Sequence, residues 1–242
     1  VIVLSAKSYD LSGAIEAIRP AVGEASLVLP LLNGMQHLEA LDDAFGASRV
    51  LGGTCQISVT LDDDGTIRHF GQFATVTQGP RRPEQASGSA ELHDVLAKGV
   101  DARHSADIIA AMWEKWFFIA GLASSTCLMR ATVGEINRTK GGPNFMVNLV
   151  NECVAVATAN DYPPRKEAVD FAQTLMSDPN SKISASMLRD IQRGGRIEAE
   201  QIVGDIIRRG RARNVATPLL DTAFIHLQAY EGQIPQSAPL GS

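Results

Sequence analysis

The spacing of hydrophobic residues changes once along the chain and predicts two kinds of structure. In the first half, continuous apolar runs at 1–4 and 26–32 alternate with amphipathic stretches at about 14–22 and 36–45. A continuous apolar run is typical of a buried strand, and apolar residues recurring every three or four positions are typical of a helix. Strand, helix, strand and helix in this order predict a parallel, doubly wound α/β sheet.

A section with more β-branched residues follows and predicts antiparallel pairing. A strand is expected over 50–61, a turn at the acidic run that ends in Gly65, and returning strands over 66–70 and 74–77. Glycine tolerates the positive φ that tight hairpin turns need. A helix over 88–98 and a short strand after it would complete this half.

From residue 105 onward the pattern is entirely helical. Ser105 or Asp107 can cap a long apolar helix that continues to Leu128. Proline, glycine and asparagine separate the helical patterns that follow. These patterns cover 144–160, 165–176, 184–192, 197–212 and 218–230. The sequence therefore predicts an α/β domain over 1–104 followed by an all-α domain over 105–242.

Composition fits a globular protein with reduced cysteines. Of the 242 residues, 45% are hydrophobic and 20% are charged, with a net charge of −5, which excludes an intrinsically disordered chain. No apolar stretch reaches the roughly 18 to 20 residues of a membrane span, and the scattered basic residues argue against a nucleic-acid partner. The cysteines at 55, 127 and 153 contain no Cys-x-x-Cys pair and suit a reducing cytoplasm.

The start of the chain is unusual. It has no initiator methionine, opens inside an apolar strand, and the whole sequence contains no Gly-x-Gly-x-x-Gly run. A dinucleotide-binding fold carries that glycine-rich loop directly after its first strand. We therefore expect a segment N-terminal to Val1 to be missing, so that the chain is a fragment.

Lys115 is the first candidate for chemistry. It lies in the long apolar helix, between Trp113-Glu114 and Trp116-Phe117. A lysine in such surroundings extends its ammonium group to water, pairs with a carboxylate or lines a cleft. A position at the edge of the helix surface therefore explains it as well as a role in proton donation does.

Four further candidates have a structural explanation beside the functional one. Glu198 follows a Gly-Gly break, where the helix dipole favours a carboxylate. Ser186 stands at a helix start and can act as a cap. Lys7 follows the first strand and Asn33 the second, where both can face the ligand crevice of an open α/β sheet. Asn33 with Gly34 is also an ordinary turn sequence.

Other catalytic patterns are absent from the sequence. It contains no Gly-x-Ser-x-Gly, His-Glu-x-x-His or Walker A run, and its five histidines lack metal-ligand spacing. The arginines between 208 and 213 are explained by a helix C-terminus, whose dipole favours cations. No metal site is predicted.

Six separated motifs run through nearly the whole chain. They are 1–7 (Val-Ile-Val-Leu-Ser-Ala-Lys), 32–35 (Leu-Asn-Gly-Met), 51–54 (Leu-Gly-Gly-Thr), 113–115 (Trp-Glu-Lys), 186–191 (Ser-Met-Leu-Arg-Asp-Ile) and the run from Glu198 through Gly204 to Pro218. In type, order and spacing they resemble the ketopantoate reductase family (2-dehydropantoate 2-reductase).

The resemblance implies an incomplete Rossmann-type domain over 1–104, which lacks the glycine-rich βαβ segment of the family. A helical substrate-binding and catalytic domain would follow it over 105–242, with the active site in the cleft between the two domains. The implied reaction is the NADPH-dependent reduction of 2-dehydropantoate to pantoate, in pantothenate and coenzyme A biosynthesis in the cytoplasm. The substrate is a small keto acid, and the family also allows a homodimer.

The resemblance assigns a role to each of the five candidates. Lys115 is implied to be the general acid, and Glu198 to hold the substrate hydroxyl and position this lysine. Ser186 would contact the substrate carboxylate, and Asn33 would lie beside the substrate and the nicotinamide. Lys7 would contact the cofactor. A hydride addition to a ketone leaves charge on its oxygen, which an ammonium group stabilises before it donates the proton.

Two departures from the family pattern leave the substrate open. One and two turns after the general-acid lysine, the family usually has asparagines that contact the substrate, whereas this chain has Ile119 and Ala123. A site built on hydrogen bonds discriminates strongly through them. A dehydrogenase of another keto or hydroxy acid is therefore one alternative. A truncated, non-catalytic chain whose helical domain folds or dimerises is another, and the preference for NADPH over NADH is implied by resemblance alone.

Overall fold

The computed structural model describes residues 1–62 and 64–234. The chain packs as two compact units, one from Val1 to Met112 and a second that begins at Trp113. The turn expected at 62–65 includes Asp63, which lies outside the described residues. The domain limits 1–104 and 105–242, with the roles assigned to them, stay predictions.

The first unit contains the strands of the described chain together with three helices. In chain order its elements are β1 (Ile2–Leu4), α1 (Leu11–Ile18), β2 (Val28–Pro30), α2 (His37–Phe45), β3 (Gly52–Leu61), β4 (Ile67–Gly79), α3 (Ala86–Leu96) and β5 (Asp101–His104). This alternation of strands and helices confirms the α/β fold class predicted for the first part of the chain.

β1, β2 and the start of β3 form the parallel part of the fold. β1 pairs with β2 in parallel, with Ile2 opposite Val28 and Leu4 opposite Pro30. A parallel bridge between Val28 and Val50 places the chain that leads into β3 alongside β2. The buried core here consists of Leu29, Leu51 and Leu92, with Leu27, Leu31 and Leu96 packed against it. Because these strands run in the same direction, their carboxyl ends share one edge.

β3 and β4 form the antiparallel hairpin that the sequence predicted. Their pairing runs from Gly52 opposite Gly79 out to the turn, where Gly65 has a φ of 84°. β4 is continuous where two short returning strands were expected, so that detail of the prediction was wrong. The pairing register between β3 and β4 shifts between Ile57 and Val59 of β3, and the backbone of β4 stays extended across this shift. β5 extends the sheet by pairing in parallel with β4.

Two glycines allow the chain at 105–108 to pass close against this sheet. A Cβ at Gly52 would lie 2.6 Å from the side chain of Ile108, and a Cβ at Gly79 would lie 2.2 Å from the carbonyl oxygen of Ser105. A side chain at either position would have to displace its neighbour. The glycine at 52 in the 51–54 motif therefore has a packing explanation.

The described residues of the second unit form helices and no strand. α4 (Ile108–Met129) leads into this unit from the first, and the Ala110 N–H donates to Asp107 Oδ1 over 3.1 Å, which confirms Asp107 as its cap. The remaining helices are α5 (Val133–Asn137), α6 (Gly142–Ala159), α7 (Lys166–Ser177), α8 (Ser186–Gln192), a π-helical turn (Glu200–Gly204), α9 (Asp205–Ala212) and α10 (Pro218–Glu231). The all-α character predicted for this part of the chain is confirmed.

Two features of the second unit were not predicted. α5 starts with a capping box: the Thr132 hydroxyl accepts from the Glu135 N–H (3.3 Å), and the Glu135 carboxylate accepts from the Thr132 N–H (2.7 Å). In place of the single helix expected over 197–212, the π-helical turn precedes α9. The first feature has a local sequence signal. In the second, the Ile202 carbonyl oxygen accepts a hydrogen bond from Trp116 of α4.

α4 supplies the largest buried side chains of this unit. Trp113, Trp116 and Phe117 are at most 2% exposed, and the ring centroids of the two tryptophans are 4.7 Å apart. Cys127 at its end and Cys153 on α6 are buried free thiols. Burial raises the pKa of Cys127 to about 12, so this thiol stays protonated at neutral pH. Among the described helices, none has both the length and the apolar character needed to cross a membrane.

Candidate active site

Lys7 and Asn33 lie at the same edge of the parallel strands. Lys7 follows Leu4 at the end of β1 by three positions, and Asn33 follows Pro30 at the end of β2 by three positions. The Leu31 N–H donates to the Leu4 carbonyl oxygen over 2.8 Å, so the two segments stay adjacent beyond the strands. Both candidate side chains are half-buried. This carboxyl edge is where open α/β sheets bind ligands.

The backbone at Asn33 also forms the turn that its sequence suggested. Gly34 has a φ of 76°, which glycine adopts without strain. The chain then enters α2, where Leu38 and Leu41 are buried. The two explanations of Asn33, a turn residue and a residue facing the ligand crevice, are compatible, because the turn follows directly after the end of β2.

Thr54 is a residue of this edge to which the sequence analysis assigned no role. A Cβ at the preceding Gly53 would lie 2.5 Å from Leu29 Cδ1 and 2.6 Å from the carbonyl oxygen of Pro30, so the glycine allows β3 to approach the end of β2 closely. Thr54 is 6% exposed, and its hydroxyl has no hydrogen-bond partner among the described residues. A buried hydroxyl is costly without a hydrogen-bond partner, so Thr54 joins the candidate ligand-binding residues of this edge.

The residues on either side of Lys115, Glu114 and Trp116, form hydrogen bonds that attach this part of α4 to other segments of the second unit. Lys115 is half-buried. Glu114 accepts hydrogen bonds from Arg165 Nε (2.7 Å), Nη2 (2.6 Å) and backbone N–H (3.0 Å), at the start of α7. These bonds hold the pKa of Glu114 below its usual value. On the other side of Lys115, the indole N–H of Trp116 donates to the carbonyl oxygen of Ile202 over 2.9 Å.

The bond from Trp116 connects α4 to the segment of Glu198. The Ile202 N–H donates to the Glu198 carbonyl oxygen over 3.0 Å, while the Ile202 carbonyl accepts from Trp116. Two consecutive hydrogen bonds therefore join the residue after Lys115 to Glu198, although the segments are far apart in sequence. Glu198 is 7% exposed and directly precedes the helical backbone that starts at Ala199.

The π-helical turn gives this segment its shape. The Asp205 N–H donates to the carbonyl oxygen of Glu200, five residues earlier. A Cβ at Gly204 would lie 2.5 Å from Glu200 Oε2, so glycine is what allows the Glu200 carboxylate to lie across the turn. Single π-helical turns occur frequently at functional sites. The Glu198-to-Gly204 motif is therefore a conformational unit that the helix dipole alone does not explain.

Asp205 anchors the turn from its C-terminal side. Its carboxylate is fully buried and forms ion pairs with Arg208 and with Arg209, the latter at 3.1 Å. The Arg209 guanidinium lies 5.7 Å from the ring centroid of Trp116. Sequence reasoning explained these arginines by the helix dipole, with phosphate or nucleic-acid binding as the alternative, and missed Asp205. The arginines three and four residues after Asp205 were the available signal.

Ser186 is exposed on the first turn of α8. The cap position belongs to Ala185, so the explanation of Ser186 as a helix cap was wrong. The Ala185 N–H donates to Thr126 Oγ1 over 3.2 Å, which fixes the start of α8 against α4. Ser186 thus keeps its hydroxyl at an exposed position beside a fixed helix start.

The described residues contain no group of three or more histidine, cysteine, aspartate or glutamate side chains with the arrangement needed to hold a metal ion.

Family comparison covers most of the chain. The model described as "Ketopantoate reductase PanE/ApbA" matches residues 1–82, and the one described as "Ketopantoate reductase PanE/ApbA C terminal" matches residues 107–231.

Two curated relatives are similar over nearly the full chain. The "Uncharacterized oxidoreductase YkpB" of Bacillus subtilis is 30% identical over 235 residues, which are 96% of this chain and 77% of that protein. A 2-dehydropantoate 2-reductase of Halobacterium salinarum is 27% identical over 222 residues, which are 92% of this chain and 73% of that protein.

Solved structures share the fold. D-mandelate dehydrogenase, in a ternary structure with NADH and anilino(oxo)acetate, has a TM-score of 0.86 at 22% identity, covering 97% of this chain and 77% of the other. A dimeric ketopantoate reductase from Staphylococcus aureus has a TM-score of 0.80 at 24% identity, covering 96% of this chain and 77% of the other.

Proposed function

From the premise that the chain belongs to the ketopantoate reductase family of oxidoreductases, we propose that it reduces 2-dehydropantoate or a close relative of it with NADPH. The observation that supports the proposal is the pair of hydrogen bonds through Ile202, which links the Trp116 side chain of α4 to the segment of Glu198. The Halobacterium relative, named 2-dehydropantoate 2-reductase, supports the substrate class.

The residues at the carboxyl edge of the strands fit a nicotinamide cofactor. Lys7 offers a cation, Asn33 an amide, and Thr54 a buried hydroxyl with no partner among the described residues. Amide and hydroxyl groups match the carboxamide and ribose of such a cofactor. The NADH in the mandelate dehydrogenase structure supports the cofactor class, and NADPH is the choice that the resemblance implies.

In the proposed reaction, three side chains have separate roles, those of Lys115, Glu198 and Ser186. A bound nicotinamide cofactor supplies the hydride. Lys115 Nζ stabilises the negative charge that develops on the carbonyl oxygen and then donates its proton there. Glu198 holds the substrate hydroxyl and positions Lys115, and Ser186 contacts the substrate carboxylate.

The first test is the Lys115→Ala variant. Loss of the general acid is expected to lower kcat for NADPH oxidation with 2-dehydropantoate by a factor of roughly 10² to 10⁴. Lys140→Ala is the matched control, since Lys140 is an exposed lysine of the same unit. Rates measured at 340 nm that are equal for the two variants would contradict the role of Lys115.

A second candidate function is the oxidation of another 2-hydroxy acid. The fold likeness to D-mandelate dehydrogenase favours it. Assays with D-mandelate and NAD⁺ or NADP⁺, beside pantoate with the same cofactors, separate the two candidates. A higher kcat/KM for D-mandelate would favour the second.

We further propose that the chain forms a homodimer, as the dimeric enzyme from Staphylococcus aureus does. Sedimentation velocity with an NADPH titration tests this together with the cofactor. A stable dimer without nucleotide binding would favour the non-catalytic alternative. The cytoplasmic location and the pantothenate pathway stay predictions.

A further inference from the structure

The face of α4 that carries Lys115 is apolar on the turns that follow it. At about 3.6 residues per turn, Ile119 and Leu122 lie within about 40° of Lys115 around the helix axis, and Phe118 lies within about 60°. Phe118 and Ile119 are half-buried, and Leu122 is 8% exposed. These three residues form the apolar strip of α4. A molecule held at Lys115 Nζ therefore has hydrocarbon groups beside it on this helix.

The hydroxyl groups farther along α4 are buried within the fold. Ser124, Ser125 and Thr126 are all 0% exposed. Ser125 Oγ donates to the Gly121 carbonyl oxygen over 2.8 Å, and Thr126 Oγ1 donates to the Leu122 carbonyl oxygen over 2.7 Å. Ser124 lies on the opposite side of the helix from Lys115. Thr126 lies on the same side as Lys115, but about 16 Å farther along the helix axis. Its hydroxyl is bonded to the Leu122 carbonyl and the Ala185 N–H, so it does not serve a substrate beside the lysine.

The polar neighbour on the N-terminal side is already occupied, because the Glu114 carboxylate accepts three hydrogen bonds from Arg165. The apolar surface continues onto α7 instead. The ring centroid of Phe171 lies 6.3 Å from that of Phe118, and Phe171 is 61% exposed. The surroundings of Lys115 on α4 and α7 thus offer apolar contact and few hydrogen bonds.

Resting on the proposed function, we propose that the substrate is a 2-keto acid whose side chain is branched or aromatic and ends without a hydrogen-bonding group. Glu198 then keeps only its role of positioning Lys115, because this substrate has no side-chain hydroxyl. Ile119 is the residue that contacts this side chain and sets the specificity. The reaction is unchanged: a hydride from the cofactor adds to the keto carbon, the carbon–oxygen π bond breaks, and the oxygen takes a proton from Lys115 to give the 2-hydroxy acid and the oxidised cofactor.

A hydrogen-bonding site and an apolar site differ in how strongly they discriminate between a substrate with a side-chain hydroxyl and its analogue without one. A site that hydrogen-bonds a substrate hydroxyl rejects the analogue lacking it by roughly 10⁴ to 10⁵ in kcat/KM. An apolar site rejects an added hydroxyl by only about 10². The sign of the preference, as well as its size, therefore distinguishes them.

The decisive comparison is between 2-dehydropantoate and trimethylpyruvate, which has the same carbon skeleton without the terminal hydroxyl. With the purified protein and NADPH or NADH, we expect trimethylpyruvate to have the higher kcat/KM, by up to about a hundredfold. Phenylglyoxylate is expected to be reduced as well. A higher kcat/KM for 2-dehydropantoate than for trimethylpyruvate would overturn the inference and leave the proposed function standing. No reduction of any of the three with either cofactor would overturn both.

Variants of Ile119 test the assigned residue. Ile119→Asn adds an amide one turn after Lys115 and is expected to shift the ratio of kcat/KM toward 2-dehydropantoate by about tenfold or more, whereas Ile119→Leu is expected to leave the ratio unchanged. A ratio of two substrates on one sample does not depend on the folded fraction. Ile119→Thr provides a second polar variant, and Ile225→Asn, at an exposed position of α10, controls for the chemical change. An unchanged ratio in both polar variants would show that Ile119 does not contact the side chain.

Discussion

In the first unit, strand register brings the segments of Lys7 and Asn33 to one edge, whereas in the second unit a side-chain hydrogen bond from Trp116 links α4 to the segment of Glu198. Leu4 opposite Pro30 is sufficient to place the two loop residues at one edge. In the second unit, the indole N–H of Trp116 donates to the Ile202 carbonyl oxygen, and the Ile202 N–H donates to the Glu198 carbonyl oxygen. The first arrangement is built into the backbone, and the second depends on individual side chains. Substitutions should therefore affect the two units in different ways.

The largest stability effect is expected from Asp205→Ala in the second unit. The substitution removes the buried partner of Arg208 and Arg209, and breaking a buried ion pair costs about 3 kcal/mol at the lower end of its usual range. Chemical denaturation followed by circular dichroism measures it. Asp221→Ala, which removes a partly exposed pair with Arg211, should cost below about 1 kcal/mol. An equal decrease in the free energy of unfolding of the two variants would show that the buried ion pairs of Asp205 stabilise the protein no more than an exposed pair does.

The backbone-based arrangement of the first unit is tested by Gly53→Ala. The added methyl group would meet Leu29 and the Pro30 carbonyl at 2.5 and 2.6 Å, so we expect a loss of about 1 to 3 kcal/mol and weaker NADPH binding. Gly99→Ala is the control, because no atom lies within 4 Å of a Cβ there. Unchanged melting and unchanged cofactor titration in Gly53→Ala would mean that the close approach of β3 to β2 is unimportant.

Trp116→Phe tests the side-chain connection in the second unit. It keeps most of the buried ring but leaves the Ile202 carbonyl without its indole donor, at a cost of about 1 to 3 kcal/mol. If the bond positions Glu198, kcat should fall while KM for NADPH stays unchanged. Trp113→Phe is the ring-truncation control, and a similar fall in kcat there would assign the effect to packing.

The smallest effect is expected at the pair of Glu114 and Arg165, and it depends on pH. Arg165 lowers the pKa of Glu114 in the folded state, so the stabilisation is full above the ordinary glutamate pKa and is lost as the pH falls through the lowered value. Because Arg165 is largely exposed, the contribution is below about 1 kcal/mol. In Glu114→Gln, the free energy of unfolding should depend less on pH in the acidic range than in the unmodified protein. An unchanged pH dependence would contradict this account.

Local signals in the sequence predicted most elements, and the misses have local or tertiary causes. The parallel strands, the hairpin turn at Gly65 and the capped start of α4 at Asp107 follow from apolar runs and from turn and cap residues. The capping box of Thr132 and Glu135 was present in the sequence and was overlooked. The continuous β4 was not predictable, because strand continuity depends on its partner β3.

The sequence by itself determined the α/β order, the all-helical second part and, by resemblance, the identity of the candidate residues. Only the tertiary structure decided the π-helical turn, the burial of Asp205 and the burial of the Thr54 hydroxyl without a hydrogen-bond partner among the residues described. Periodicity reports local backbone geometry, which each short segment carries in its own residues. Whether a buried carbonyl, carboxylate or hydroxyl finds a partner depends on side chains from distant segments, and that pairing exists only in the folded chain.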